Sequence, residues 1–159
     1  MTISNYKLVK LANKHGINLT INDIIMSDEL DQIPKTKTRN IVLNTKSSLS
    51  PKGQHWVALA IRGNHALYFD SFGAAPDAHV VAYCNKRKLS LGYNNYVVQD
   101  LDSTHCGLFC FGLFLHLARE TTTDKSQPEI YVLGNEYVNR FHHIAERNDE
   151  IIERYTAQA

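Results

Sequence analysis

Within Asn5–His15, Leu8, Leu11 and Ala12 recur at helical spacing and Gly16 stands where a helix would end, so the chain opens on a short amphipathic helix. From Asn18 to Lys37 the pattern is mixed. Ile24, Ile25, Met26 and Leu30 are apolar without a clear period and Pro34 closes the stretch, which reads as irregular with one helical turn at most. Three β-branched and aromatic runs bounded by turn residues follow at Asn40–Asn44, Gln54–Ile61 and Ala66–Asp70, and they predict successive strands. A Ser, Pro and Gly-containing loop separates the first two, and a Gly63-Asn64 turn joins the last two. Ala78–Lys88, after Pro76, predicts a helix carrying Val80, Val81 and Cys84 on one side, and Asn95–Gln99 predicts a further short strand. Gly107–Arg119 is almost continuously apolar and longer than an ordinary strand, which makes it a central helix buried on most sides, with Cys106 at its N-terminus. Tyr137–Tyr155 predicts a last helix with Ile144, Ile151 and Ile152 inward and Arg and Glu outward.

Composition narrows the class. A length of 159 residues suits one domain, 1–159, with a core that needs no disulfide staples. Hydrophobic residues at 43% and charged residues at 21% argue against global disorder. A formal charge of +1 leaves any electrostatic partner to a local patch. The three cysteines, Cys84, Cys106 and Cys110, are too few and too unevenly placed for a secreted disulfide framework, so a reducing compartment fits. No apolar leader region follows the start and no run approaches the ~18 residues needed to cross a bilayer, so neither secretion nor membrane spanning is expected.

One constellation points to chemistry. A thiol becomes a good nucleophile when ionised, and a helix N-terminus, where Cys106 is expected, favours the thiolate. Gly107 beside it would let a substrate backbone come close. Such a thiol needs an imidazole to take its proton and a carboxylate to hold the ring in the right tautomer. His55 opens one predicted strand and Asp70 ends the next, fifteen residues on, which suits two short strands and a turn with both side chains at one edge. Gln99, seven residues before Cys106, could add a side-chain amide to the Cys106 backbone N–H as oxyanion donors.

Other readings of these residues are weaker. Cys106, Cys110, His105 and His116 could be zinc ligands, but no Cys-x-x-Cys pair or second cluster accompanies them, so no metal is expected. Phosphatase chemistry would want an arginine shortly after the cysteine, and none occurs before Arg119. Cys110, one helical turn beyond Cys106, and Cys84 read as core residues. Trp56 is expected to pack beneath the strands and to shape the cleft. Asp100 and Asp102 could serve as alternative acids, but their place before a helix favours capping or interaction with its dipole, and His15, His65, His79, His142 and His143 are expected to be solvated.

The blocks Asn40-Ile-Val-Leu-Asn-Thr45, Gly53-Gln-His-Trp-Val-Ala58, Leu67-Tyr-Phe-Asp-Ser-Phe-Gly73, Gln99 and His105-Cys-Gly-Leu-Phe-Cys-Phe-Gly-Leu-Phe-Leu-His116 carry a resemblance. In this order, which differs from papain-type enzymes with their cysteine first, they resemble the adenovirus maturation proteases. The wider clan contains the SUMO-deconjugating proteases, and the resemblance is nearest to the adenovirus-type proteases of virophages such as Mavirus and of Polinton-like elements. It runs from about Leu8 to the final helix.

The resemblance implies an α+β fold whose central sheet, bearing His55 and Asp70, packs on the helix bearing Cys106. It implies His55 as base, Asp70 as its acid partner, Gln99 with Cys106 as oxyanion donors and Cys106 as nucleophile. The implied activity is cleavage of viral capsid and core precursors during virion maturation, in the virion and the host-cell virus factory, in cytoplasm or nucleus, by a monomeric domain. Deconjugation of a ubiquitin-like modifier and a non-enzymatic interaction domain are the alternatives. The adenovirus enzyme has Glu where Asp70 stands, whereas the SUMO branch has Asp. That enzyme also takes a disulfide-linked activating peptide, but Lys88–Val98 contains no cysteine to receive one. No cofactor is required by the residues, and DNA as an activator would have to use Lys35, Lys37, Arg39, Lys46, Lys52 and Lys86-Arg87-Lys88.

Overall fold

The computed structural model describes residues 3–45 and 55–157. The expected strand start at Gln54, the loop before it, and Lys46 and Lys52 lie outside these residues. Helix α1 (Asn5–Lys14) starts on Ser4, whose side chain accepts the Lys7 N–H, and buries Leu8 and Ala12. The stretch expected to be irregular contains a three-residue strand, β1 (Ile24–Met26), between 3-10 turns at Ile21–Asp23 and Ser27–Gln32. Pairing makes it a strand where local pattern does not: Ile24, Ile25 and Met26 run parallel to Val42, Leu43 and Asn44 of β2 (Thr38–Thr45).

Strand β2 is antiparallel to β3 (His55–Arg62), and β3 is antiparallel to β4 (His65–Phe69) across the Gly63-Asn64 turn. The chain then crosses through α2 (Ala78–Lys86), and β5 (Ser90–Tyr93) returns parallel to β4. The sheet is therefore mixed, in the order β1-β2-β3-β4-β5. The strand expected at Asn95–Gln99 lies earlier in the chain. Register from His65↔Ser90 to Tyr68↔Tyr93 uses up the edge of β4, and residues 94–99 bond to the turn after β4 instead.

Side-chain alternation gives the sheet two apolar faces, both covered. Ala58, Ala60, Leu67 and Phe69 cluster with α1, α3 (Cys106–Arg119), α4 (Glu129–Val138) and α5 (Asn148–Ala157). Val57, Leu59, Ile61 and Tyr68 cluster with α2 and the Ser27–Gln32 turn. The architecture is α+β, with α3 buried against the sheet as the resemblance implied. Phe109, Phe111 and Phe114 of α3 are all fully buried, and at ~1.5–3 kcal/mol for each large apolar side chain they fix this helix firmly.

Two expectations about helices need correction. On α2, Val81 is exposed and Tyr83 takes the inward place, its hydroxyl donating to Ile33 O at 3.1 Å, because Val80, Tyr83 and Cys84 share a face that Val81 does not. The last helix is two: α4 ends at Val138, a 3-10 turn spans Ala145–Arg147, and α5 starts at Asn148. The break is held by Asn148, whose Oδ1 accepts the His142 N–H at 2.7 Å. It leaves Ile144 exposed and Ile151 half-buried, and only Ile152 of the three reaches the core.

Candidate active site

Register explains how His55 and Asp70 meet. Ala58 faces Phe69 across the β3–β4 pair, so the two strands bring the start of β3 and the residue after β4 to one end of the hairpin. There His55 Nε2 lies 2.6 Å from Asp70 Oδ1, with both side chains buried. The same carboxylate oxygen accepts the Phe72 N–H at 2.8 Å, and the Phe72 ring packs on the imidazole with centroids 4.5 Å apart. Asn94 clamps the backbone of Asp70: its Oδ1 accepts the Asp70 N–H at 3.2 Å, and its Nδ2 donates to Asp70 O at 3.0 Å.

With Nε2 held by Asp70, Nδ1 is the ring nitrogen left to face Cys106, the first residue of α3, whose thiol is near enough to raise the His55 pKa. Burial alone would depress the His55 pKa. The hydrogen bond to Asp70 and the nearby Cys106 thiol, reinforced by the charges of both, outweigh it and hold the ring at about 9. Cys106 is half-buried, whereas Cys84 and Cys110 are buried. Burial pushes the Cys84 thiol up to about 11 and the Cys110 thiol well above its ordinary value. Iodoacetamide at pH 7 is therefore expected to modify Cys106 with Cys84 and Cys110 spared, as read by peptide mass mapping. Equal labelling of all three in the folded protein would contradict this geometry.

The raised His55 pKa also sets a stability window. The folded value, about 9, lies above the unfolded value near 6.5, so the folded state binds the proton more tightly. Its contribution is complete below the unfolded pKa and is lost as pH rises through about 9. Urea midpoints are expected to fall between pH 7 and 9.5 in the wild type, and to fall less in His55→Gln.

Gln99 lies in the segment before α3. Gly73 has φ +76, and a Cβ there would lie 2.8 Å from Tyr96 O, so only glycine lets the Asp70–Gly73 turn press on residues 96–97. That contact brings Ser71 O to the N–H groups of Val98 and Gln99, at 2.8 and 3.0 Å. Gln99 is buried. Its Oε1 accepts from the Ser71 hydroxyl, and its Nε2 donates to Ser103 O at 3.0 Å and Ser103 Oγ at 3.2 Å. Helix α3 has His105 at its N-cap and no side-chain capping bond, so neither Asp100 nor Asp102 caps it. The reason is a turn, Ser103 N–H to Asp100 O at 2.9 Å, that closes before the helix begins.

Other expected residues find different surroundings. Gly107 is buried, with the Ile3 side chain 2.5 Å from where its Cβ would stand, so its missing side chain makes room for the chain's own N-terminal segment and not for a substrate backbone. Trp56 is half-buried against the α3-side core, and its carbonyl lies 3.5 Å from Cys110 Sγ. His15 and His65 are half-buried against the Phe111 and Tyr131 rings, and His142 is half-buried and stacked on His143. His105 Nε2 lies 2.6 Å from Glu153, while His116 meets Arg140 and Glu136, and among the described residues no three potential ligands converge on a metal position. Of the basic residues, Arg39 pairs with Asp23 at 2.7 Å and Arg87 with Asp31 at 3.1 Å. No helix among the described residues is long and apolar enough to cross a membrane.

Ser71, Asn94 and Ser103 join the candidate site without any mark in the sequence. Their partners lie up to 46 residues away, and no local pattern marks them.

The fold and these side chains define a class, an α+β chain with a Cys-His-Asp arrangement at a helix N-terminus. Among solved structures, the pS273R protease of ASFV is similar to it, with a TM-score of 0.52 at 13% identity over 89% of this chain and 68% of that one. At that identity the likeness shows a shared fold. No family model matches the sequence, and neither does any curated protein.

Proposed function

We propose that the chain is a cysteine endopeptidase that cleaves viral capsid and core precursors during virion maturation, acting within the particle or the virus factory. The observation that carries the reading is the buried His55–Asp70 pair at 2.6 Å, with the Cys106 thiol at the start of α3 near enough to the imidazole to raise its pKa. The shared fold with a protease and the sequence resemblance support it.

In this reading the Cys106 proton passes to His55 Nδ1, and the thiolate forms an Sγ–C bond to the scissile carbonyl carbon. Negative charge collects on the carbonyl oxygen, and the Cys106 N–H and the Gln99 amide are the donors that would stabilise it. The C–N bond then breaks as the imidazolium gives its proton to the leaving amine. Water, deprotonated by His55, attacks the thioester, releasing the acid and the free thiol. Asp70 holds the Nε2–H tautomer throughout and offsets the imidazolium charge.

The test is incubation of the purified protein with the capsid and core proteins encoded beside its gene, with new N-termini read by mass spectrometry. Discrete new N-termini that vanish in Cys106→Ala support the assignment. Intact substrates overturn it, and labelling of Cys106 by a ubiquitin or SUMO vinyl sulfone would move it to deconjugation.

A further inference from the structure

The segment carrying Gln99 is gripped from behind by the first turn of α5. Asn148 is fully buried, and its Nδ2 donates to Val98 O and to His142 O, both at 2.8 Å. Asp149 accepts the Ser103 hydroxyl at 2.6 Å, and Glu153, one turn on, lies 2.6 Å from His105 Nε2. Three side chains of one helix thus hold residues 98, 103 and 105, the stretch from beside the amide to beside the nucleophile.

The Ser103 hydroxyl has a single proton, and ionised Asp149 can only accept, so the proton points to Asp149. The Oγ lone pairs then face Gln99 Nε2 at 3.2 Å and the His105 N–H at 3.1 Å. The Gln99 amide must present its nitrogen at this end, next to the start of α3, with Oε1 turned to the Ser71 hydroxyl. A reversed amide would aim an oxygen at the developing anion. Nε2 meets Ser103 O at 3.0 Å and Ser103 Oγ at 3.2 Å, so both contacts hold the nitrogen end of the amide toward the segment that leads into α3.

We infer that Asp149 is a positioning residue: acting through Ser103, it fixes the orientation of the Gln99 amide and the approach of the chain to Cys106, so that the oxyanion donors are set before substrate arrives. The inference rests on the oxyanion role given to Gln99 in the proposed function. It places part of the active-site machinery on the C-terminal helix, which touches no reacting atom.

Two reagents separate this role from general damage. Iodoacetamide alkylates the Cys106 thiolate by displacement at carbon, with iodide leaving, and forms no oxyanion. Acylation by p-nitrophenyl acetate forms an Sγ–C bond and expels p-nitrophenolate through a tetrahedral oxyanion, so it needs the donors. Rates at Cys106 are measured for both reagents by mass spectrometry. Asp149→Ala and the milder Ser103→Ala are each expected to slow acylation ~10-fold or more, short of the ~100-fold loss of a whole donor, with alkylation unchanged. Asp149→Asn, whose amide oxygen still accepts from Ser103, is expected to restore most of the acylation rate. Equal slowing of both reactions, or no slowing of acylation in either variant, overturns the inference. Acylation in the wild type that does not depend on Cys106 would strike the functional reading itself, and the inference with it.

Discussion

Cys106→Ala is expected to lower peptide-bond cleavage on the order of 10⁶-fold, while Cys110→Ala retains cleavage within a few fold. The two thiols are one helical turn apart on α3, yet they differ in everything that governs reactivity. Cys106 is half-buried beside His55 at the start of the helix, whereas Cys110 is walled in by the core, where burial keeps its proton on. Cys110→Ala should show its effect on stability, at about 1 kcal/mol for a small void beneath Trp56. In the proposed mechanism Cys106 and His55 act as a unit, so His55→Ala should cost nearly as much as Cys106→Ala, and the double variant no more than either. Cleavage rates with the encoded substrates, together with urea midpoints, check all of these. Full activity in Cys106→Ala would remove the basis of the assignment.

Asp70→Ala is expected to lower kcat ~10³–10⁴-fold, and Asp70→Asn by less, ~10²-fold. The difference follows from one atom. Oδ1 of Asp70 receives both the His55 Nε2 contact and the Phe72 N–H, so an asparagine can present its single oxygen to both donors and keep the ring's tautomer. What it loses is charge. The alkaline limb of the pH–kcat/KM profile, expected near 9 in the wild type where the imidazolium gives up its proton, should move toward neutral pH in Asp70→Asn. Alanine leaves a buried imidazole with no acceptor, and the ring is then free to turn away from the thiol. A profile unmoved by Asp70→Asn would show that the carboxylate charge does not reach the base.

The legible part of the site was the part built from neighbours in sequence. His55 and Asp70 belong to one hairpin, so strand length and a turn sufficed to pair them. The apolar run after Cys106 announced a buried helix with the thiol at its start. Strand β1 was hidden because three residues give no usable period, and they are a strand only through pairing with β2. Residues 94–99 have strand composition, but the edge of β4 is taken by 90–93, and Gly73 draws the later segment to the Asp70 turn. The start of α5 did leave a trace, since Asn148-Asp-Glu places a buried cap-like residue and two acids in a first turn, the pattern of a helix beginning rather than continuing.

By itself, the sequence determined which residue types were present for thiol chemistry and which strands and helix would carry them, because periodicity and turn residues act over a few positions. Packing alone settled that Gly107 faces Ile3 and that Asn148 and Asp149 hold the segment of Gln99. Those contacts join residues 46 or more positions apart or turn on which side of a packed helix is occupied. A hydrogen bond between distant polar groups leaves no period in the chain, since any Ser, Asn or Asp there reads equally well as solvated until packing excludes the water.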